Sequence, residues 1–361
     1  MPLRILIAGG GTGGHVIPAL AIARELRNQH DADVRFVGTA RGLETRLVPE
    51  AGFPLELIHV GQLKNVSLIT RLRTVADLPL GILRCISLLR SFRPQVVIGV
   101  GGYASGPAMM AAILLRIPTV AFEPNAVPGL ANRLVGKSVS AAAVNFASTA
   151  GYFRNAKVTG IPVRREFFDI APKTCGPLRL LVFGGSQGAR VLNEAMPSIV
   201  TELLVRFPQL TIVHQVGGRN GESTAAAYAD AGINDSRLIR TLYLDAMVDE
   251  IAAADLILCR SGASTVAELA AAGRASILVP FAAAADDHQR KNAEVFIQAG
   301  AAAMILESEL TPDRALETIT QLLNHPQACL RMAEAARTLA HSNAAGEIAE
   351  ICVALAKAKA K

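Results

Sequence analysis

The chain has 361 residues, of which 51% are hydrophobic and 18% charged, and its formal net charge is +6. This length gives room for two domains of common size and excludes a single small binding module, while the apolar content excludes a disordered chain. Five widely spaced cysteines without a CxxC pair argue against a disulfide framework and against a zinc site.

The charge is unevenly distributed along the chain. Residues 1–165 carry 19 Lys and Arg against 8 Asp and Glu, a net +11, whereas residues 166–361 carry 17 against 22, a net −5. The first half is therefore expected to meet something anionic. With only 4% aromatic residues and scattered basic ones, nucleic acid is a weaker candidate than a phospholipid surface or a phosphorylated substrate.

In chain order, the first element is an apolar run that ends in glycines, and it occurs again 175 residues later. Arg4-Ile-Leu-Ile-Ala-Gly-Gly-Gly-Thr-Gly-Gly14 aligns without a gap on Arg179-Leu-Leu-Val-Phe-Gly-Gly-Ser-Gln-Gly-Ala189. Each run precedes a helical pattern, at 18–26 and at 191–204. A short, wholly apolar run is typical of a parallel strand that is covered on both faces.

Further runs of this kind alternate with helical patterns through both halves. They lie at 34–37, 96–100, 119–122, 210–213, 256–259 and 277–279. This alternation predicts an α/β protein with two Rossmann-like, doubly wound parallel-sheet domains and a cleft at the carboxyl ends of the strands. We place the domains at 1–162 and 163–361, with the final helix able to pack back on the first domain.

The apolar stretch Pro94–Leu115 carries no charge, but its glycines predict a strand, a turn and a new helix rather than a membrane span. With no signal peptide at the start, a soluble, cytoplasmic protein is expected.

The first glycine loop, Gly9-Gly-Gly-Thr-Gly-Gly14, satisfies GxGxxG and is followed by His15. Such glycines allow backbone N–H groups to approach phosphate oxygens. A dinucleotide site also needs an acidic residue at the end of the second strand, where this chain reads Val37-Gly38-Thr39, so NAD and FAD are disfavoured. His15 is a candidate general base or substrate contact.

A third glycine loop, Gly101-Gly-Tyr-Ala-Ser-Gly106, contains Ser105 but not the Gly-x-Ser-x-Gly of a hydrolase, and is interpreted as another anion-binding turn. In the second half, Arg260-Ser-Gly-Ala-Ser-Thr-Val-Ala-Glu268 follows an apolar strand. The N–H groups that open its helix are expected to face a diphosphate, and Glu268, one turn on, to accept hydrogen bonds from a ribose. Asp286-Asp-His-Gln289 lacks a spaced second ligand set, so no metal site is predicted.

Several motifs together resemble the MurG family of bacterial peripheral-membrane glycosyltransferases, in glycosyltransferase family 28, over nearly the whole chain. They are Gly10-Gly-Thr-Gly-Gly-His15, Gly101-Gly-Tyr-x-Ser-Gly-Pro107, Gly160-x-Pro-Val-Arg164, Gly184-Gly-Ser-Gln-Gly-Ala189, Cys259-Arg-Ser-Gly-Ala263 and Gln289-x-x-Asn-Ala293. The resemblance implies a GT-B fold. It also implies inverting transfer of N-acetylglucosamine from its UDP donor to the 4-hydroxyl of MurNAc in undecaprenyl-pyrophosphoryl-MurNAc-pentapeptide, a step of peptidoglycan synthesis, without a cofactor.

The resemblance also implies roles for individual residues. Arg164 and Ser186 would meet the UDP phosphates, Leu244 the uracil through its backbone, Glu268 the ribose, and Asn125 and Gln289 the N-acetylglucosamine. The phosphate and sugar would be lined by Ala263, Ser264, Thr265, Val266 and Ala267. The acceptor and the reaction centre would face Thr12, Gly13, Gly14 and His15, with His15 or Glu123 as the general base.

The chain departs from the family pattern at two places. It reads Phe122-Glu-Pro-Asn125 where the family often has His-Glu-Gln-Asn, and His288-Gln289 where the family often has paired glutamines. The first departure concerns the acceptor loop, and the second concerns one sugar-hydroxyl contact.

The implied acceptor gives the basic first half a partner, an anionic membrane surface at the cytoplasmic face of the cell membrane. Within 63–92, Arg71, Arg73, Arg84 and Arg90 alternate with apolar residues, which are Leu78, Leu80, Ile82, Leu83, Ile86, Leu88 and Leu89. This face is expected to dock on anionic lipid. The alternative is an ordinary core helix with solvated arginines.

Two other functions remain open from the residues. One is a different UDP-sugar transferase or a UDP-sugar epimerase of the same fold, and the other is a non-catalytic nucleotide-binding scaffold that recruits partners to the membrane. An epimerase needs acidic residues placed to eliminate and re-add UDP and has no lipid-facing basic half. Retention of a UDP-sugar without turnover in the presence of a lipid acceptor would favour the scaffold.

Overall fold

The computed structural model describes residues 2–60, 68–173 and 178–360, with the side chains of 68–77 and 360 left aside. Two units make up the chain. The first comprises Met1–Pro162 and Asn343–Lys361, and the second comprises Val163–Ser342. The chain therefore passes out of the first unit at Pro162 and returns to it at Asn343. The stretch 343–361, which the sequence boundary groups with the second domain, lies with the first unit.

The first unit is a parallel sheet with helices between its strands. Its described strands are β1 Arg4–Ala8, β2 Asp33–Gly38, β3 Leu55–Leu57, β4 Val96–Gly99, β5 Thr119–Glu123, β6 Ala141–Val144 and β7 Ala156–Val158. Its helices are α1 Gly13–His30, α2 Glu44–Glu50, α3 Leu68–Phe92, α4 Ser105–Leu114, α5 Leu130–Val135 and, at the far end of the chain, α14 Ala344–Ala360. The strand order is β3-β2-β1-β4-β5-β6-β7.

The second unit has a parallel sheet of the same design. Its described strands are β8 Arg179–Phe183, β9 Thr211–Gln215, β10 Leu238–Thr241, β11 Leu256–Cys259, β12 Ser276–Leu278 and β13 Ala303–Met304, in the order β10-β9-β8-β11-β12-β13. Its helices are α6 Arg165–Phe168, α7 Arg190–Arg206, α8 Gly221–Asp230, α9 Met247–Ala253, α10 Ala263–Ala272, α11 His288–Gln298, α12 Pro312–Leu323 and α13 Pro326–Arg337.

The repeat seen in the sequence is a repeat of structure. Each copy forms an interior strand of its sheet: β1 lies between β2 and β4, and β8 lies between β9 and β11. Both strands are apolar on both faces because helices cover both sides of such a sheet. The prediction of two doubly wound parallel-sheet domains is confirmed. The strands β3, β6, β7, β10 and β13 were not predicted.

The two cores consist of the strand residues and the inward faces of the helices. In the first unit the completely buried residues include Leu6, Val97 and Ala121. In the second unit they include Leu180, Ile212 and Ile277. Helix α14 packs against α1, and its Glu347 and Glu350 pair with Lys157 (3.0 Å) and His30 (3.7 Å). Within the described ranges, no helix has the length and apolar character needed to cross a membrane.

Candidate active site

In the second unit, a glycine loop joins β8 to α7. Gly185 (φ +86°) and Gly188 (φ +73°) have left-handed backbones, and a β-carbon at Gly188 would lie 2.1 Å from the carbonyl oxygen of Val216. The glycines therefore let this loop pack directly on the loop after β9. Ser186, predicted to meet phosphate, is exposed at the tip of the loop.

The start of α10 follows the neighbouring strand β11. Gly262 is the N-cap residue, and the first i→i−4 bond of the helix runs from Val266 N–H to Gly262 O (3.0 Å). The N–H groups of 263–265 precede that bond and form the positive end of the helix dipole. The residues predicted to line phosphate and sugar, Ala263 to Ala267, thus occupy the first turn and a half of this helix.

Glu268 lies on the same helix, one turn further on. Burial raises the pKa of its carboxyl group from 4.5 to about 7, and the positive charge of Arg164 opposes this rise. Among the described residues, no side chain or backbone group donates a hydrogen bond to Glu268 or pairs with it within 4 Å. A desolvated carboxylate without a donor can accept hydrogen bonds from a ligand, as predicted for a ribose diol.

Arg164 is the N-cap residue of α6, and its guanidinium stacks over the ring of Phe167 at 4.9 Å. Its side chain is exposed and acts on the charge of Glu268 from within the same unit. Arg164 and Glu268, which lie far apart in sequence, are therefore brought together by the contact between α6 and α10.

The start of α11 presents Gln289. Its Oε1 accepts a hydrogen bond from Phe281 N–H (3.0 Å), while its backbone carbonyl accepts one from the hydroxyl of the buried Ser261 (2.9 Å). With Oε1 taken, Gln289 offers its amide NH₂ as a donor, which suits a sugar hydroxyl. His288 donates from Nδ1 to the carbonyl of Ala285 (2.7 Å).

A partly buried ion pair holds the loop that Gln289 contacts. Arg260 Nη1 donates to Glu307 Oε2 (2.8 Å) and to the carbonyls of Val279 and Pro280 (3.2 Å each). Glu307 also accepts from Ala282 N–H (2.9 Å). The pair fixes residues 279–282, and so the orientation of Gln289.

Gln215, at the end of β9, links the glycine loop to the loop predicted to read uracil. Its Oε1 accepts from Gly184 N–H (3.3 Å) and its Nε2 donates to Leu242 O (3.1 Å). Leu244 is buried, while Leu242 and Tyr243 are 57% and 58% exposed. Gln215, Arg260 and Glu307 were not assigned roles from the sequence, and of the three only Arg260 lies in a loop singled out there.

In the first unit, the glycine loop between β1 and α1 holds His15. Nδ1 of His15 lies 3.1 Å from the carbonyl oxygen of Gly10, and Oγ1 of Thr12 lies 3.4 Å from the same nitrogen. A carbonyl oxygen only accepts, so Nδ1 carries the proton and the neutral ring has its lone pair on Nε2. Thr12 is the N-cap residue of α1, and Gly13 and Gly14 form its first turn.

The third glycine loop packs on the first. Gly10 N–H donates to Gly101 O (3.3 Å), and a β-carbon at Gly102 would lie 2.3 Å from the carbonyl oxygen of Gly10. A β-carbon at Gly101 would lie 3.0 Å from Nε2 of His15. Ser105, by contrast, is 1% exposed, so it is not placed as a nucleophile would be.

Glu123 is 2% exposed at the end of β5. Its carboxylate accepts from Gly129 N–H (2.9 Å), from Nδ2 of Asn132 (3.0 Å) and from both N–H and Nδ2 of Asn125 (3.0 and 3.1 Å). Burial raises the pKa of Glu123, and these hydrogen bonds act against that rise. The carboxylate anchors the loop that carries Asn125, which favours a positioning role over that of a base.

The two departures from the family pattern have different surroundings. Phe122 is completely buried in β5, and its backbone carbonyl accepts from Nδ2 of Asn132 (2.9 Å), so this substitution lies in the core. His288 lies at the start of α11 beside Gln289.

The predicted membrane face is only partly exposed. Leu89 is buried, and Ile82, Ile86 and Leu88 pack against the core of the first unit, whereas Leu80 and Leu83 are 56% and 61% exposed. Of the seven apolar residues named for this face, Leu89 therefore belongs to the core, whereas Leu80 and Leu83 are exposed. Arg84 and Arg90 are exposed, and the side chains of Arg71 and Arg73 lie outside the described residues.

No group of three or more His, Cys, Asp or Glu side chains suited to a metal ion occurs in the described part of the chain.

Comparisons with known proteins agree with these observations. The glycosyltransferase family 28 N-terminal domain matches residues 5–144, and the glycosyltransferase family 28 C-terminal domain matches 179–348. The chain is 45% identical, over 98% of its length and 94% of the relative, to the UDP-N-acetylglucosamine–N-acetylmuramyl-(pentapeptide) pyrophosphoryl-undecaprenol N-acetylglucosamine transferase of Anaeromyxobacter dehalogenans (strain 2CP-C).

Among solved structures, MurG of Acinetobacter baumannii superposes with a TM-score of 0.80 at 32% identity, covering 97% of this chain and 99% of that one. A putative UDP-N-acetylglucosamine 2-epimerase from Listeria monocytogenes gives a TM-score of 0.67 at 13% identity, covering 96% and 95%, which shows a shared fold only. The predicted GT-B fold is thereby confirmed. The chain belongs to glycosyltransferase family 28 and, within it, to the MurG family.

Proposed function

We propose that this protein is an inverting hexosyltransferase of peptidoglycan synthesis. It moves N-acetylglucosamine from UDP to the 4-hydroxyl of MurNAc in undecaprenyl-pyrophosphoryl-MurNAc-pentapeptide. The observation that carries the proposal is the 45% identity, over 98% of the chain, to a transferase named for this reaction. The carboxylate of Glu268 on α10, which has no donor among the described residues, supports it. The ribose hydroxyls of a UDP-sugar would supply the hydrogen-bond donors that this carboxylate lacks.

The donor is held by the second unit. The N–H groups that open α10, with Ser186 and Arg164, bind the diphosphate, and Glu268 accepts from the ribose. The backbone at Leu244 contacts uracil, and the NH₂ of Gln289 donates to the sugar. As the bond from the anomeric carbon to UDP breaks, negative charge grows on the leaving phosphate. Helix dipole and guanidinium stabilise that charge without a protein-bound metal.

The acceptor hydroxyl attacks the anomeric carbon from the face opposite UDP, which converts the α-linked donor to a β-linked product. The new bond joins the acceptor oxygen to the anomeric carbon, and the hydroxyl proton passes to a base. His15 fits this role better than Glu123 does, since its protonated Nδ1 is directed to Gly10 O and Nε2 carries the lone pair. Asn125, held by Glu123, contacts the sugar from the β5–α5 loop.

The experiment measures transfer of radiolabelled N-acetylglucosamine from UDP to a short-chain analogue of the acceptor, with His15→Ala and Glu268→Ala beside the parent. Transfer by the parent is expected, with a lower kcat in His15→Ala and a higher donor KM in Glu268→Ala. Release of UDP with epimerised sugar and no transfer would identify an epimerase instead. Binding without any turnover would identify a scaffold.

The protein acts peripherally at the cytoplasmic face of the cell membrane, where its acceptor is anchored. Leu80 and Leu83 on α3 support this, because they are exposed beside Arg84, and α3 packs on α4, whose last residue, Leu114, is 67% exposed. Apolar side chains next to arginines suit the interface of an anionic bilayer.

Co-sedimentation with phosphatidylglycerol vesicles tests this docking surface. Arg84→Glu with Arg90→Glu is expected to abolish sedimentation at low salt. The matched control is Arg314→Glu with Arg331→Glu, which makes the same charge change on exposed helices of the second unit. Equal binding by both double variants would contradict the assignment of α3 as the membrane face.

A further inference from the structure

Glu44 is a buried carboxylate that the transfer mechanism above does not use. It is the first residue of α2 and only 1% exposed. Its Oε2 accepts from Gly11 N–H at 2.6 Å, and its Oε1 accepts from the N–H and the hydroxyl of Thr39 at 3.0 and 3.1 Å. Within the described residues, no Lys, Arg or His pairs with it. In the part of the chain that the structure describes, these three hydrogen bonds stabilise its carboxylate.

Three glycines leave the space that the side chain of Glu44 occupies. A β-carbon at Gly10 would lie 2.3 Å from Cδ of Glu44, one at Gly38 2.6 Å from Cγ, and one at Gly42 1.9 Å from Oε2. The carboxylate therefore fills the space that the absence of three side chains leaves open. Such a fit between one buried charge and three glycines fixes the position of the loop.

In glycine-loop nucleotide sites, an N–H of this kind points at a phosphate oxygen. Here Gly11 N–H is already bonded to the protein's own carboxylate, and a phosphate at the same place would meet a like charge. The first glycine loop is thus closed to an anion at Gly11, in contrast to the expectation from its GxGxxG pattern. The loop of the second unit has a neutral amide, Gln215, bonded to Gly184 instead.

Glu44 is linked to His15 through the backbone of Gly11 and Gly10. Gly11 is fixed on both sides, because its N–H donates to Glu44 and its carbonyl accepts from Leu43 N–H (3.2 Å). Gly10, the preceding residue, supplies the carbonyl that accepts from Nδ1 of His15. A shift of Glu44 would therefore move the acceptor that sets the tautomer and orientation of the imidazole.

We infer that Glu44 is a positioning residue for the transfer reaction: an internal carboxylate in the place of a phosphate, which fixes the first glycine loop and, through Gly10, the ring of His15. The inference rests on the proposed function, since His15 is the base of that reaction. Glu44 itself touches no substrate.

The test compares Glu44→Gln with Glu50→Gln, an exposed glutamate on the same helix. A glutamine keeps one acceptor oxygen but presents NH₂ hydrogens to either Gly11 or Thr39. We expect kcat to fall roughly 10- to 100-fold in Glu44→Gln, as for a small misplacement of a reacting group, with donor KM within about twofold of the parent. Glu50→Gln should match the parent.

Two further readouts separate positioning from mere stability. In a His15→Ala background, Glu44→Gln should cause little additional loss of kcat, because the ring it positions is absent; full additivity would overturn the inference. Should Glu44→Gln fail to fold, Thr39→Val removes only the hydroxyl donor, and an unchanged kcat in that variant would count equally against the inference.

An NMR measurement distinguishes failure of this inference from failure of the proposed function. The Gly11 amide proton, in a short bond to a carboxylate, should resonate downfield in the parent and in Glu50→Gln and move upfield in Glu44→Gln. An inactive parent with this pattern would leave the Glu44 contact proven but refute its role in transfer together with the proposed function. An active parent with an unshifted Gly11 amide would refute the Glu44 inference alone.

Discussion

Replacing Glu268 by glutamine should remove a pH dependence from donor binding. The carboxyl group titrates at about 7 because it is buried, and the bound donor requires the ionised form to accept from the ribose. At pH 8 roughly nine-tenths of the free protein is competent, and at pH 6 roughly one-tenth is. The dissociation constant of the parent should therefore increase about tenfold between pH 8 and pH 6.

The same titration acts on stability, with a defined sign. The folded carboxyl group keeps its proton up to about pH 7, whereas the unfolded one loses it near 4.5. The folded state thus binds more protons between these values, so the free energy of unfolding falls as the pH rises through this window. This difference in pKa between the folded and unfolded states corresponds to roughly 3 kcal/mol in the free energy of unfolding, at 1.36 kcal/mol for each pKa unit. Glu268→Gln should be more stable than the parent at pH 8 by up to about that amount.

Isothermal titration of UDP-N-acetylglucosamine at pH 6, 7 and 8 provides the first measurement, and urea unfolding at the same pH values the second. Glu334→Gln, on an exposed face of α13, is the matched control. The diphosphate of the donor does not titrate in this range. A dissociation constant that changes equally with pH in Glu268→Gln and in the parent would refute the reasoning.

Three further variants test other parts of the second unit. Burial lowers the pKa of His214 from 6.5 to about 3, so stability should fall by about 1.4 kcal/mol per pH unit below 6.5, and His214→Gln should lose this slope in urea titrations. Arg274 is 3% exposed and donates to five carbonyls, so Arg274→Met should cost at least about 3 kcal/mol in urea unfolding, against no change in the exposed control Arg331→Met. Gln289→Glu cannot donate to the sugar, so donor KM should increase about tenfold while inhibition by UDP stays constant; equal changes in both would contradict the assignment.

The sequence predicted those elements that have a strong local signal. The apolar runs before glycines located the interior strands β1 and β8, since burial on both faces leaves few polar residues in them. The strands β3, β7 and β13 have only two or three residues and lie at or near the sheet edges, where half-exposed side chains interrupt the apolar pattern. Such strands exist because a neighbouring strand pairs with them, which a local pattern does not show.

Within the site, the sequence located residues that belong to motifs, but not residues whose role comes from a partner distant in sequence. Glu268 and Gln289 stand out because they follow strands and belong to motifs. In the sequence, Glu44 is an ordinary glutamate at the start of a helix. Only the hydrogen bonds that it accepts from Gly11 and Thr39 indicate its role. For α3, amphipathic spacing alone could not separate Leu89, which is in the core, from Leu83, which is exposed.

The return of the chain to the first unit at Asn343 has a consequence for biosynthesis. Helix α14 follows the whole second unit in sequence but packs on α1, near the beginning of the chain. During translation the first unit therefore remains incomplete while about 180 intervening residues emerge at a rate of several per second. The surface of α1 that α14 covers is exposed during that time. The second unit is an uninterrupted stretch that can fold as it appears. The unit that begins first is thus the last to be completed, and the face of α1 that α14 covers stays accessible to chaperones that bind nascent chains in the interval.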